Sequence, residues 1–154
     1  MTRIAIALGS NVGDRQQYIH GSIASLAAFV SDLRLSTLIE TDPIDMPGTP
    51  RRVVNAAATG ETSLPARELL ERMLGVEQQM GRTRPHPGAA RTVDLDLILY
   101  GDAIINEPPS LIVPHPRFRE RGFVLEPLAD IAADWTDPVT GFTVAQLLER
   151  LRAL

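Results

Sequence analysis

The sequence lacks two residue types that carry much of protein chemistry. It contains no cysteine, and all fifteen of its basic residues are arginine, because lysine is absent as well. The first absence excludes disulfides, thiolate nucleophiles and cysteine-ligated zinc or iron–sulfur sites. The second excludes a Schiff-base lysine and the lysine of a Walker A loop. If this chain handles phosphate, it must use arginine, metal ions and backbone N–H groups.

Long apolar runs are also missing, since Asp, Arg, Gly or Pro interrupts each one before it reaches the length of a membrane span. The short apolar stretch after Arg3 ends in a Gly-Ser-Asn turn, so we interpret it as a first strand and not as a signal peptide. The net charge of −4 gives no support for nucleic-acid binding. We expect a cytoplasmic monomer with one domain over residues 1–154 and no membrane contact.

Hydrophobic periodicity predicts strands that alternate with helices. The predicted strands are residues 3–9, 33–41, 53–62 and 92–100. The predicted helices are one that carries Ile19, Ile23, Leu26 and Val30, one from Pro65 to Gly81, and one that begins at Thr143 in a capping box with Gln146. Residues 42–51 and 83–90 are rich in Pro and Gly and are predicted to be loops.

The order strand, helix, strand, strand, helix, strand is that of the ferredoxin-like, split βαβ unit. A turn at Gly101-Asp102 predicts a hairpin that returns through Ile104 and Ile105, and residues 118–121 predict a short helical turn. We therefore expect an α+β fold with an antiparallel-rich sheet and helices on its faces. A C-terminal hairpin and helix extend it.

Two carboxylates in the strand 92–100 are the centre of the functional interpretation. Strand alternation sends Asp94 and Asp96 to one face, and Val93, Leu95, Leu97 and Leu99 to the other. Their Cα atoms would lie about 7 Å apart, close enough to share a pair of cations. Mg²⁺ prefers such oxygen ligands and bridges them to substrate phosphates. An ordinary amphipathic strand with a solvated acidic face is the alternative.

Arginines flank this acidic pair on both sides. They form two groups that also contain His115: Arg82, Arg84 and Arg91 before the pair, and Arg117, Arg119 and Arg121 after it. Arginine forks around a metal-binding pair fit a polyphosphate, because they bind the oxygens that the metal leaves uncovered. Surface ion pairs are the alternative for each single arginine, and for Arg117 and Arg119 in particular.

Six motifs together resemble the 6-hydroxymethyl-7,8-dihydropterin pyrophosphokinase family, and they cover residues 3 to about 130 in that family's order. They are Leu8-Gly9-Ser10-Asn11-x-Gly13-Asp14, Val54-Asn55-Ala56, Glu77-x-x-x-Gly81-Arg82-x-Arg84, Arg91-Thr92-x-Asp94-Leu95-Asp96, Val113-Pro114-His115 and Arg121-x-Phe123-Val124-Leu125-x-Pro127-Leu128. The resemblance implies an enzyme of folate biosynthesis that transfers pyrophosphate from ATP to this pterin and releases AMP.

The resemblance also implies roles for individual residues. It assigns two magnesium ions to Asp94 and Asp96, and transition-state charge to Arg82 and Arg91. The residues that it assigns to ATP are Glu77, Arg84, Ile98, His115 and Arg121. The residues that it assigns to the pterin are Pro43, Asn55, Asp94 and Phe123, with Asn55 bonded to the ring edge and Phe123 stacked on its face.

The sequence departs from the family pattern at a few positions. Val53 replaces a frequent aromatic residue, the segment 87–90 lacks an aromatic, and Ser110 and Ile112 stand where some members contact ATP. Phe123 could instead be core, Asn55 a strand-edge residue and Glu77 a solvent-facing helix residue. A non-catalytic pterin- or nucleotide-binding relative, or another magnesium-dependent phosphotransferase or phosphohydrolase, remains the alternative function.

Overall fold

The part of the chain that the structure describes forms one antiparallel sheet, a small hairpin and four helices. The computed structural model describes residues 1–42, 52–81 and 92–154. The strands are β1 (Thr2–Ser10), β2 (Ser31–Leu35), β3 (Ile39–Thr41), β4 (Val53–Thr62), β5 (Asp94–Tyr100), β6 (Ile105–Glu107) and β7 (Leu111–Val113). The helices are α1 (Arg15–Leu26), α2 (Ala66–Gln79), α3 (Gly122–Ala132) and α4 (Val144–Arg152), and a 3-10 turn at Phe118–Glu120 precedes α3. None of the helices in these three segments is long and apolar enough to cross a membrane.

The main sheet has the strand order β2-β4-β1-β5, and β3 pairs with a further part of β4. All of its pairings are antiparallel. Strands β1 and β4 pair along their whole length, from Thr2 opposite Thr62 to Ser10 opposite Val54. The predicted α+β, ferredoxin-like sheet is confirmed.

Helices cover both faces of this sheet. Along β1, Ile4, Ile6 and Leu8 belong to the core that includes α1 and α2, while Ala5 and Ala7 belong to the core that includes α3 and α4. This alternation is the direct consequence of the two-residue period of a strand. Because β1 is buried on both faces, it reads as a continuous apolar run in the sequence.

The last helix begins as the sequence predicts. The Thr143 hydroxyl accepts the Gln146 N–H at 3.2 Å, and the Gln146 side chain accepts the Thr143 N–H at 2.8 Å. This reciprocal capping box satisfies two N–H groups that a helix start otherwise leaves without partners.

The predicted single strand over 33–41 is wrong, because it is broken at Ser36. The Ser36 N–H donates to the Ala57 carbonyl, and the Ser36 hydroxyl accepts the Ala57 N–H at 2.8 Å. The next residue, Thr37, donates its N–H and its hydroxyl to the Asp130 carboxylate of α3, both at 3.0 Å. The Ser36 hydroxyl thus accepts a strand N–H in place of a backbone carbonyl. The strand is interrupted there, and β2 and β3 are separate.

The C-terminal part differs from the prediction in two ways. The hairpin joins β6 to β7 around residues 108–110, and Ile105 pairs with Val113 instead of returning along β5. The sequence predicts the short helical turn at 118–121 but not helix α3, which begins directly after it at Gly122. Gly122 at its start and Pro127 inside it are typical of helix interruption, yet Val124, Leu125 and Leu128 bury enough apolar surface to hold the helix in place.

Candidate active site

Three neighbouring strands form the floor of a cavity. Gly9 of β1 pairs with Asn55 of β4 on one side and with Asp94 of β5 on the other. Directly paired residues point to the same face of a sheet, so the Asn55 and Asp94 side chains rise on either side of Gly9. A Cβ atom at Gly9 would lie 3.6 Å from Asn55 Oδ1. The missing side chain leaves a flat floor between the amide and the carboxylate.

A bulge in β5 changes the predicted alternation of that strand. Ala5 pairs with Leu99 and Ile6 pairs with Leu97, so Ile98 is an extra residue without a partner on β1. Val93, Leu95 and Leu97 face the α1 and α2 core as predicted, whereas Leu99 packs in the α3 and α4 core. The prediction for Leu99 is therefore wrong, and the reversal happens two residues after Asp96.

The cavity above this floor has a volume of about 490 Å³. Its floor comes from the central strands, one wall from the end of β3 and the start of β4, and the other wall from the start of α3 and the 3-10 turn before it. The residues that line it are Ala7, Leu8, Gly9, Ser10, Asn11, Thr41, Asp42, Val53, Asn55, Asp94, Asp96, Arg117, Glu120, Arg121, Phe123 and Val124. The cavity thus brings predicted site residues together from three separate parts of the chain: Asn55 of β4, Asp94 and Asp96 of β5, and Arg121 and Phe123 at the start of α3.

The orientation of the Asn55 amide is set by its neighbours. Asn55 is only 5% exposed, and its Nδ2 donates to Thr41 Oγ1 at 2.7 Å and to the Val53 carbonyl at 3.4 Å. Its Oδ1 lies toward Gly9 at the cavity floor. The amide therefore presents a fixed hydrogen-bonding edge, which suits a flat heterocycle with N–H donors.

An aromatic side chain stands at the mouth of the same cavity. Phe123 lies in the first turn of α3, where it is half-buried and lines the cavity. The Arg121 guanidinium lies 5.6 Å from the centroid of the Phe123 ring. Phe123 also packs partly against the α3 and α4 core, and the part of its ring that lines the cavity can pack against a planar ligand.

Asp94 and Asp96 both line the cavity and are both half-buried. Within the described segments, no group of three or more His, Asp or Glu side chains could hold a metal ion. Two carboxylates on one strand face, with room above them, nevertheless fit Mg²⁺. This ion keeps several waters and takes its remaining ligands from a substrate phosphate, and it seldom requires a closed protein cage.

A second cavity of about 240 Å³ lies at the outer edge of β5. Asp96 lines both cavities, and Ser110, Ile112 and His115 line the second one. The Ile98 side chain, in contrast, is fully buried in the α3 and α4 core. Its carbonyl, which the bulge frees from the ladder, accepts the His115 N–H at 3.0 Å. Ile98 therefore anchors the backbone of His115 and lines neither cavity with its side chain.

The His115 ring is held by a second backbone contact, because its Nδ1 accepts the Arg117 N–H at 3.2 Å. Partial burial lowers the pKa of His115, and the positive charges of Arg121 and Arg117 lower it further, while Asp94 opposes them. An imidazole with Nδ1 as an acceptor and a lowered pKa is neutral near pH 7, with its proton on Nε2.

The structure separates the arginines of the second group. Arg117 and Arg121 line the cavity, whereas Arg119 turns away and binds Asp137 through Nε at 2.5 Å and Nη2 at 2.9 Å. Asp137 is 0% exposed, and Thr140 also donates to it at 2.6 Å. Burial raises the pKa of Asp137, but these hydrogen bonds outweigh it, so that the pKa lies below its usual value. Arg119 thus forms an ion pair with Asp137, in keeping with the ion-pair alternative given for it above.

Glu77 lies in the last turn of α2 and is 3% exposed, so the interpretation as a solvent-facing residue is wrong. Its Oε2 accepts the Leu95 N–H at 2.7 Å. Glu77 lines neither of the two cavities.

Four of the predicted site residues lie outside the described part of the chain: Pro43, Arg82, Arg84 and Arg91. Conversely, sequence reasoning did not single out Thr41, Asp42 or Glu120, which line the cavity. Their positions at the end of β3 and in the 3-10 turn carry no periodic signal, and only their approach to the floor in three dimensions identifies them.

Comparison with known proteins places this arrangement in a family. Residues 5–133 match the model of 7,8-dihydro-6-hydroxymethylpterin-pyrophosphokinase. A 2-amino-4-hydroxy-6-hydroxymethyldihydropteridine pyrophosphokinase of Bacillus subtilis is 45% identical over 134 residues, which are 85% of this chain and 79% of that protein. The enzyme of the same name from Synechocystis is 40% identical over 95% of this chain and 74% of its own length.

Longer proteins match as well. The folic acid synthesis protein fol1 of Pneumocystis carinii is 38% identical over 96% of this chain, which spans 20% of that protein. Wild-type Plasmodium falciparum HPPK-DHPS superimposes with a TM-score of 0.76 at 13% identity, over 97% of this chain and 44% of the solved one. The structural similarity at 13% identity shows the fold alone, and the match to the family model over residues 5–133 shows the family. The chain belongs to the 7,8-dihydro-6-hydroxymethylpterin-pyrophosphokinase family of ATP-dependent transferases in folate synthesis.

Proposed function

We propose that this chain transfers the pyrophosphoryl group of ATP to the hydroxymethyl group of 6-hydroxymethyl-7,8-dihydropterin. The hydroxymethyl oxygen forms a bond to the β-phosphorus, the bond from that phosphorus to the α-phosphate oxygen breaks, AMP leaves, and the hydroxyl proton is released to solvent. The observation that carries the proposal is the row Asn55, Gly9 and Asp94. The Asn55 amide, suited to a heterocycle, and the Asp94 carboxylate, suited to a metal–phosphate complex, stand on the two strands that flank Gly9.

The pterin occupies the larger cavity. The Asn55 amide binds the ring edge, and Phe123 packs on the ring face. Pro43 is proposed to complete this side from the segment that follows Asp42. A ring held between Asn55 and Phe123 places its hydroxymethyl group toward Asp94, because that carboxylate lies on the opposite side of the Gly9 floor.

Asp94 and Asp96 are proposed to hold two magnesium ions. When bound, these ions supply positive charge that offsets the negative charge of the phosphates. The carboxylates themselves position the reacting ends of both substrates, since Asp96 lines the cavity of the pterin and the neighbouring cavity at the edge of β5.

ATP occupies the second cavity and the gap toward the first. His115 donates from Nε2 and Arg121 binds phosphate oxygens, while Ile98 acts through the backbone that holds His115. Glu77 and Arg84 are proposed on the nucleotide side, and Arg82 and Arg91 at the charge that develops on the transferred group. We further propose that the protein acts in the cytoplasm as a monomer without nucleic acid.

The test is AMP formation from ATP, measured with and without the pterin and with Mg²⁺ or excess chelator. AMP that appears only with both pterin and Mg²⁺ supports the proposal. Release of ADP or phosphate without pterin supports a phosphohydrolase instead. Pterin binding without any turnover supports a non-catalytic relative. Phe123→Ala sharpens the test, since only a pterin enzyme loses substrate affinity by it.

A further inference from the structure

A buried carboxylate holds the outer edge of the strand that carries the two aspartates. Strand β5 is the last in the order of the described sheet, so no further strand of that sheet pairs with its outer edge. One backbone group of this edge, the Leu95 N–H, donates to Glu77 Oε2 at 2.7 Å. A backbone N–H bonded to a carboxylate is stronger than an ordinary ladder bond, and it is strongest when buried, as Glu77 is here.

This bond lies between the two metal-binding candidates. Asp94 pairs with Gly9 and Asp96 pairs with Ala7, so β1 holds the strand from its inner edge on both sides of Leu95. Glu77 holds it from the outer edge at the residue between them. The backbone of the Asp-x-Asp segment is therefore fixed from both edges at the same level.

The support behind Glu77 is itself rigid. Helix α2 buries Leu69, Met73 and Val76 in the core that also contains Leu95. Protein cores of this kind are packed as tightly as organic crystals, so a side chain that projects from the helix has a defined origin. Glu77 follows Val76 directly and reaches the strand edge from this fixed base.

We infer that Glu77 is a positioning residue whose carboxylate fixes the backbone at Leu95 and thereby sets the spacing of Asp94 and Asp96 for their cations. The inference rests on the proposed function. It gives Glu77 a task that needs no contact with the nucleotide. It also explains why an acidic side chain is buried next to this strand: the strand edge requires an acceptor at this point.

Two variants separate reach from charge. Glu77→Gln keeps an oxygen acceptor at the same distance and removes the charge, whereas Glu77→Asp keeps the charge and withdraws the acceptor by one methylene group. The first readout is amide hydrogen exchange at Leu95 in protein free of metal and substrate. The Ala57 amide, which bonds to the Ser36 hydroxyl on the far side of the sheet, is the internal reference.

The second readout is the Mg²⁺ concentration that gives half-maximal AMP formation, compared with the KM for the pterin. Glu77→Asp should speed exchange at Leu95 by about tenfold or more and raise the Mg²⁺ requirement by about tenfold. Its KM for the pterin should change by less than about threefold, because the substitution removes no contact to the pterin site. Glu77→Gln keeps the acceptor and its reach, so it should speed exchange at Leu95 by less than Glu77→Asp does.

The opposite pattern, with Glu77→Gln impaired and Glu77→Asp normal, would show that charge and not reach matters, and it would overturn the inference. Unchanged Leu95 exchange in Glu77→Asp would overturn it as well. A wild-type protein that forms no AMP, or forms it without Mg²⁺, contradicts the proposed function instead. In that case the exchange measurement still decides whether Glu77 holds the strand.

Discussion

Asn55 and Asp94 are register partners of the same residue, Gly9, on opposite sides of the central strand. Thirty-nine positions separate them in the sequence (94 − 55), yet they face one cavity floor. Since adjacent strands lie about 4.8 Å apart, the amide and the carboxylate stand roughly 10 Å apart at the backbone. That span accommodates the length of a bicyclic heterocycle with a one-carbon arm.

The first prediction concerns the metal-binding carboxylates. Asp96→Asn should lower AMP turnover by about a hundredfold or more, because a fixed charge at the reacting groups is lost. The thermal midpoint should change little, as Asp96 is half-buried and faces a cavity. Asp102→Asn, at an exposed turn beyond the same strand, is the matched control and should be normal. Near-normal turnover of Asp96→Asn would contradict the metal assignment.

The second concerns the amide of Asn55. Asn55→Ala should raise the KM for the pterin by about ten- to a hundredfold, since one or two hydrogen bonds to the ring are lost. The KM for ATP should stay within about twofold. Thr41→Val removes the oxygen that Nδ2 donates to, so it should produce a smaller change in the same direction. Steady-state kinetics with each substrate varied separately measures both, and equal effects on ATP would argue against a pterin contact.

The third compares two glycines of paired strands. Gly9→Ala adds a methyl group at ordinary contact distance, 3.6 Å from Asn55 Oδ1 and 3.7 Å from Val53, so the protein should fold normally but bind pterin more weakly. At Gly60 the same methyl would lie 2.4 Å from Val30 and 2.8 Å from the Ser31 carbonyl. Gly60→Ala should therefore lower stability by about 1–3 kcal/mol. Urea unfolding and pterin titration distinguish the two, and equal loss of stability would refute the open floor.

The fourth concerns Asp137, whose folded-state pKa is lowered by Arg119, Thr140 and Val139 against the effect of burial. Its unfolded pKa is about 3.9, so the stabilisation is complete above about pH 5 and is lost as the pH falls through the folded pKa. Asp137→Asn should cost about 2–4 kcal/mol at pH 7. The difference from wild type should shrink toward pH 3.

Unfolding by urea at pH 7, 5, 4 and 3 measures this difference. Glu126→Gln, which removes the exposed ion pair with Arg152, is the control and should change stability by less than about 1 kcal/mol at every pH. A constant difference between Asp137→Asn and wild type over the whole range would show that Asp137 does not titrate in this window.

Local patterns in the sequence predicted what depends on near neighbours. The alternation around Asp94 and Asp96, the capping box at Thr143 and the strand–helix order all follow from spacings of two to four residues, and the structure confirms them. The choice between catalytic and structural roles was also partly visible, since an ion pair was foreseen for Arg119. Its partner Asp137 was not, because no spacing rule links the two.

Other features were decided by tertiary contacts alone. The bulge at Ile98, the break at Ser36 and helix α3 each oppose a local tendency and exist because distant groups compensate: the Ile98 carbonyl binds His115, the Ser36 hydroxyl binds Ala57, and α3 buries its apolar face. Residue types and their local spacing are properties of the chain, so the sequence by itself determined the order of strands and helices along the chain and the acidic pair. Which residues meet across the floor depends on register and packing between remote segments, and only the tertiary structure decided that Thr41 orients Asn55 and that Glu77 reaches Leu95.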